Sequence, residues 1–281
     1  MKRFILSLAA FSLCLSINAQ TAKEEVFDNV AKSGGVYYAY PVTESANTPA
    51  PKGYEPFYIS HYGRHGSRYL IADEDYTTVL DLLHVAQSHN ALTPLGIDVM
   101  QRIDSLLLEV EGHGGALSPL GVRQQRAIAE RMYKAYPQVF KDYTPISARS
   151  TVVPRCILSM DALCERLKEF NPTLVTTRES SGKYMRYLNY HSDESNRFTS
   201  QDSHWREQYR KFDLAHTNPD RLMTSLFNSQ EFVEKFVNPY KTMWSLYWIA
   251  VGMQNVETQI SFFDIFTKQE LFDLWQSVNY R

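Results

Sequence analysis

The sequence predicts an α/β fold with a parallel-type central sheet flanked by helices, a largely α-helical insertion domain and an incomplete C-terminal portion. Three observations carry this. Short β-branched or aromatic runs at 56–62, 145–148 and 174–177 alternate with amphipathic stretches, which is the rhythm of a parallel sheet. After about residue 180 the chain turns polar and then helical in its patterning. The last apolar helix stops at Asn279-Tyr280-Arg281 with no Gly, Pro or polar tail, as a helix cut in mid-course would.

Residues 1–19 read as a secretory signal peptide. Lys2 and Arg3 precede an apolar run from Phe4 to Leu15, and Ala19 offers a small residue before Gln20. The run is too short for a membrane span, which needs ~20 residues. Leu13 before Cys14 argues against a lipidation signal. The expectation is an exported protein, periplasmic or secreted, with no stable membrane span once the signal is removed. Cys156 and Cys164 then remain, roughly 12 Å apart along one predicted helix at 1.5 Å per residue. That is too far for a mutual disulfide. They read as free thiols or as partners of a cysteine outside this chain. The 281 residues carry 29 Lys+Arg against 31 Asp+Glu, a formal charge of −2, which argues against a nucleic-acid partner.

Residues 20–179 form the predicted α/β core. An approach segment over 20–55 has loops at Ser33-Gly34-Gly35 and Thr48-Pro49-Ala50-Pro51. A strand from Pro56 to Tyr62 ends at Gly63. Asp73 to Asn90 reads as a helix with Val79, Leu82, Leu83 and Ala86 on one face. Two further helices start alike, at Leu92-Thr93-Pro94-Leu95-Gly96 and Leu117-Ser118-Pro119-Leu120-Gly121. Each has a hydroxyl N-cap and Pro in the first turn. His113-Gly114-Gly115 is the loop between them. A strand over 145–148 runs through Arg149-Ser150-Thr151 into a helix reaching Phe170, and 174–177 is a further strand. Residues 180–281 read as a mainly helical insertion or cap. Its helices cover 229–237, 239–256 and 267 onward, with Thr242–Met253 as a core helix. Thr267 and Glu270 form a capping box, and Leu271, Leu274, Trp275 and Val278 the apolar face behind it.

The chemistry lies at Gly63-Arg64-His65-Gly66-Ser67-Arg68-Tyr69, just past the first strand. Ligands of open α/β sheets bind beyond the carboxyl ends of the strands. Neutral imidazole can attack phosphorus, and guanidinium forks match phosphate oxygens. A second predicted strand end delivers Arg149, with Arg155 on the helix behind it. Arg155 can reach the same anion or support the loop through an internal ion pair. His61 and His84 read as structural, with His84 packed beside apolar neighbours. No histidine pair has metal-ligand spacing with a supporting carboxylate, so neither metal nor cofactor is expected.

These motifs resemble the branched histidine phosphatases of the acid phosphatase and phytase type. Arg64-His65-Gly66-Ser67-Arg68 is similar to that family's nucleophile motif. Leu117 to Gln124 is similar to its Leu-Thr-x-x-Gly-x-x-Gln helix, and Ala148 to Met160 to its Arg-Ser-Thr segment. Tyr69 looks closest to the multiple inositol polyphosphate phosphatases and their bacterial relatives. The resemblance implies that His65 accepts the phosphoryl group while Arg64, Arg68 and Arg149 bind it. The implied substrate is an anionic phosphomonoester such as inositol hexakisphosphate. Arg155, Lys183, Arg186 and Arg197 are candidate further contacts. One element is missing: no histidine is followed by Asp or Ala-Glu, the family's late proton-donor motif, so the donor is unassigned. His191-Ser192-Asp193 is a poor substitute. The chain therefore reads as a fragment or a truncated product. An alternative reading is a phosphate-binding protein with little turnover. A phosphoglycerate-mutase-like transferase is weaker, since the signal peptide and the Arg-Ser-Thr segment weigh against it.

Overall fold

A computed structural model describes residues 21–41, 47–188, 193–200 and 204–280. The expected signal peptide, and His191 and Ser192, lie outside them. The elements in order are α1 (Ala22–Asp28), a 3-10 helix (Val30–Tyr37), α2 (Glu74–Ser88), α3 (Pro94–Val110), α4 (Pro119–Ala135), β1 (Pro145–Ser150), α5 (Pro154–Phe170) and β2 (Val175–Ser180). There follow α6 (Met185–Leu188), α7 (Asp193–Phe198), α8 (His204–His216), α9 (Asp220–Leu226), α10 (Gln230–Phe236), α11 (Pro239–Gly252) and α12 (Lys268–Tyr280).

β1, α5 and β2 make a βαβ unit. The two strands pair in parallel, from Pro145 opposite Val175 to Ser150 opposite Ser180. α4 and α5 cover one side of it. There Ala129, Leu167 and Leu174 are buried with Phe140, and Ile146 and Leu163 pack against them. The main core joins distant parts of the chain. Leu83 of α2, Ile103 of α3, Leu226 of α9, Leu246 of α11 and Leu274 of α12 all belong to one buried cluster. Apolar residues three and four apart on each helix produce that stripe. The capping box of α12 is present: the Glu270 amide donates to Thr267 Oγ1 at 3.1 Å and the Thr267 amide to the Glu270 carboxylate at 2.7 Å. Cys156 and Cys164 are both free thiols on α5. No helix of the described residues is long and apolar enough to cross a membrane.

The two similar helix starts are used identically. Thr93 Oγ1 accepts from the Gly96 amide and Ser118 Oγ from the Gly121 amide. In each, the preceding leucine forms an antiparallel bridge, Leu92 with Phe227 and Leu117 with Arg68. The N-cap amides donate to Leu226 and Ser67 carbonyls, at 3.0 and 2.9 Å. A Cβ on Gly96 or Gly121 would stand 2.2 Å from those same carbonyl oxygens. The motif is thus a docking device as well as a cap.

Three expectations are corrected. Residues 56–62 form no strand among the described residues. A strand exists only by pairing, and β1 pairs with β2 alone. Phe57, Tyr58 and Tyr62 are 92%, 72% and 77% exposed, and Ile59 alone packs on the α4–α5 cluster. Ser33-Gly34-Gly35 is 3-10 helix rather than loop, with its break at Gly35, where φ is +51°. His84 is exposed instead of packed, and its Nε2 lies 3.2 Å from Asp104.

Candidate active site

The segment from Arg64 to Ser67 has almost no backbone partners of its own, so side chains from two helices hold it. Gln125 of α4 donates to the Arg64 carbonyl at 2.9 Å. The Gly66 amide donates to Ser159 Oγ of α5 at 3.1 Å, and the Ser67 amide to Gln124 Oε1 at 2.8 Å. The Ser118 amide and hydroxyl both donate to the Ser67 carbonyl. Gly66 is obligatory here because a Cβ would stand 2.3 Å from the Gly121 carbonyl oxygen. The two sequence motifs therefore meet backbone to backbone.

This cradle fixes the imidazole. His65 Nδ1 lies 2.7 Å from the Gly66 carbonyl oxygen. A carbonyl only accepts, so Nδ1 carries the proton and the lone pair sits on Nε2. Burial pushes the His65 pKa below 6.5, and the positive Arg64, Arg155 and Arg68 push the same way. The Gly66 hydrogen bond opposes them without reversing the shift. Burial and the neighbouring cations thus both favour the neutral imidazole.

The arginines have distinct settings. Arg64 Nη1 donates to the Val36 carbonyl at 3.1 Å. Arg68 donates to the Tyr69 carbonyl at 2.6 Å and to the Tyr37 hydroxyl at 3.0 Å. Arg155 donates to the Gly115 carbonyl at 3.3 Å, and its buried Nε has no partner among the described residues. Among the described residues no carboxylate pairs with Arg155. Arg149, at the end of β1, faces Glu179 at 3.7 Å and lies 4.6 Å from the Tyr184 ring centroid. Lys183 lies 5.3 Å from the same centroid, so the two cations share one tyrosine. Arg186 sits over Tyr187 at 4.7 Å, and Arg197 faces Glu194 at 3.9 Å.

A cleft of about 440 Å³ opens beside His65, walled by Tyr37, Tyr40, Tyr62, Gln124 and Asn255. Among the described lining residues there is no Asp or Glu, and His61 is the other imidazole. Tyr37 and Asn255 are contributions that sequence reasoning missed, since neither stands in a motif. Gln124 was signalled by the Leu-Ser-Pro-Leu-Gly-Val-Arg-Gln string. Among the described residues no three His, Cys, Asp or Glu side chains gather as metal ligands.

The fold sets His65 on a loop beside a βαβ unit, with a helical part closing the core. Solved structures share this fold. The chain is similar to the multiple inositol polyphosphate phosphatase of Bifidobacterium longum in complex with inositol hexasulfate, with a TM-score of 0.66 at 15% identity over 85% of this chain and 67% of that one. The same enzyme with phosphate gives a TM-score of 0.63 at 16% identity, over 84% and 64% of the two chains. The phytase from D. castellii gives 0.50 at 16% identity, over 76% and 48%. The chain thus spans about two thirds of the Bifidobacterium enzyme and about half of the phytase. At these identities the likeness establishes the fold. No family model and no curated protein matches the sequence.

Proposed function

We propose that the protein is an exported phosphomonoester hydrolase that works through a phosphohistidine on His65, with inositol polyphosphates as its substrate class. One observation carries the reading: His65 Nδ1 faces the Gly66 carbonyl, which leaves the imidazole lone pair on Nε2, and among the described residues no carboxylate pairs with the neighbouring Arg64, Arg68 or Arg155. Nε2 attacks phosphorus, the P–N bond forms, and the ester P–O bond breaks toward the alcohol, which takes up a proton. Water then attacks phosphorus, the P–N bond breaks, and inorganic phosphate leaves. Arg64 and Arg68 spread over the phosphoryl oxygens and stabilise the charge of transfer, joined by Arg149 once it leaves Glu179, which it faces at 3.7 Å. Arg155 supports them from the Gly115 loop. Lys183 and Arg186 serve phosphates elsewhere on the ring. The fold shared with enzymes solved with inositol hexasulfate and with phosphate supports the substrate class. Export rests on residues 1–19.

A second reading has its own observation. With no carboxylic acid among the described lining residues, the leaving alcohol lacks a strong proton donor there. General acid catalysis is worth roughly 10²–10⁴-fold, so this chain would bind phosphates and turn them over slowly.

Phosphate release from inositol hexakisphosphate, a sugar phosphate and an aryl phosphate distinguishes these. The proposal expects the highest kcat/KM on inositol hexakisphosphate and its loss in His65→Ala. Preference for the aryl ester would reject the substrate class. Tight phosphate binding without turnover would establish the second reading.

A further inference from the structure

We propose that the 3-10 segment Val30–Tyr37 is a working part of the anion site: Tyr37 is a positioning residue that aims Arg68, and Asn255 locks Tyr37 to the His65 loop. The proposal rests on reading His65, Arg64 and Arg68 as a phosphate site.

Among the described residues the arginines differ in what holds them: Arg149 and Arg197 face Glu179 and Glu194, and Arg155 and Arg206 donate to backbone carbonyls. Arg102, Arg123, Arg126, Arg166, Arg178 and Arg221 are tied to carboxylates. Arg64 and Arg68 are instead held by neutral oxygens, the Val36 and Tyr69 carbonyls and the Tyr37 hydroxyl. A carboxylate fixes a guanidinium but cancels its charge. A carbonyl or hydroxyl fixes it and leaves the charge for an incoming anion. Arg68 spends two of its five N–H groups on these holds, and its guanidinium lies 5.0 Å from the Tyr37 ring centroid. Tyr37 thus restrains Arg68 from two directions, and restraint before binding removes an entropy cost at binding.

Tyr37 is itself held. Asn255, only 4% exposed, donates through Nδ2 to the Tyr37 carbonyl at 2.7 Å. Its Oδ1 accepts the Ser67 hydroxyl at 2.7 Å. One side chain therefore spans the segment and the residue two beyond His65. Next to it, Gln254 accepts from the Ala39 amide and donates to the Ala31 carbonyl. Buried Tyr247 donates to the Ser33 carbonyl at 2.7 Å. The end of α11 and the residues after it clamp the segment at successive points. These contacts fix Tyr37, and through its hydroxyl they fix Arg68.

The test is calorimetric titration of inorganic phosphate into the full chain and its variants. Wild type binds phosphate. Tyr37→Phe keeps the ring and loses the hydroxyl, and it weakens binding roughly three- to tenfold, the worth of one hydrogen bond. Asn255→Ala weakens it by a similar factor. In an Arg68→Ala background, Tyr37→Phe has no further effect, because Tyr37 acts only through Arg68. The same penalty in both backgrounds would overturn the positioning role. So would unchanged binding in Tyr37→Phe, or tighter binding, which would make Tyr37 a competitor of the anion. Wild type that bound no phosphate would overturn the site reading itself, a result distinct from the other three.

Discussion

At the residue scale the site is a problem of protonation. The proposed role of His65 as nucleophile requires a lone pair, and the Gly66 carbonyl favours the tautomer that places it on Nε2. Burial and three flanking arginines lower the ring's pKa below 6.5. The sign follows directly: the neutral form persists as pH falls, and the nucleophile is lost only once pH drops through that lowered value. The acid limb of kcat/KM should therefore lie below pH 6.5, and a limb above it would contradict the arrangement. Changing Arg64 to Met removes one of the cations and should move that limb upward, which a pH–rate profile would read. These residues were legible in the sequence because Arg-His-Gly-x-Arg is a local string. Tyr37 and Asn255 were not, since they meet across 218 positions and each is an ordinary residue in its own neighbourhood.

At the element scale, packing explains why the motifs contain glycine. A methyl group on Gly66 would stand 2.3 Å from the Gly121 carbonyl oxygen, and one on Gly121 would stand 2.2 Å from the carbonyl oxygen of Ser67, the residue after Gly66. Gly66→Ala and Gly121→Ala should each cost about 1–3 kcal/mol or more through overpacking, seen as a lower urea midpoint. Their double variant should cost less than the sum, because both defects lie at one contact. Helices were legible through caps and periodicity, down to the Thr267 box. The strand expected at 56–62 was not, because pairing is a property of the neighbour and aromatic content cannot supply one. A second prediction concerns the α4–α5 clasp. Lys134 and then Arg166 hold Glu130 down at about 2, and Arg126 and then Arg166 lower Glu169. Carboxylates depressed in the folded state stabilise it above their ordinary value of 4.5 and lose that contribution as pH falls toward about 2. Because the groups are exposed, added salt should shrink this acid-dependent part of the stability curve.

At the scale of the whole molecule, one buried cluster unites α2 and α3 with α9, α11 and α12, so the parts before and after residue 180 share a core. Leu246, fully buried there, should cost about 2–5 kcal/mol when changed to Ala. The loss should appear in one transition, reported alike by probes on α2 and on α12; two separated transitions would contradict the shared core. The overall class was legible because the βαβ rhythm is written in local periodicity. That the helical part also clamps the His65 loop was not, since nothing in its polar and apolar alternation points at residue 67. The central claim is that His65 accepts the phosphoryl group. Rapid-quench reaction with labelled phosphomonoester, followed by peptide mapping under alkaline conditions, tests it directly. One phosphate per chain is expected on the peptide containing His65, and none in His65→Ala. Label on another residue, or labelled and active His65→Ala, would contradict it.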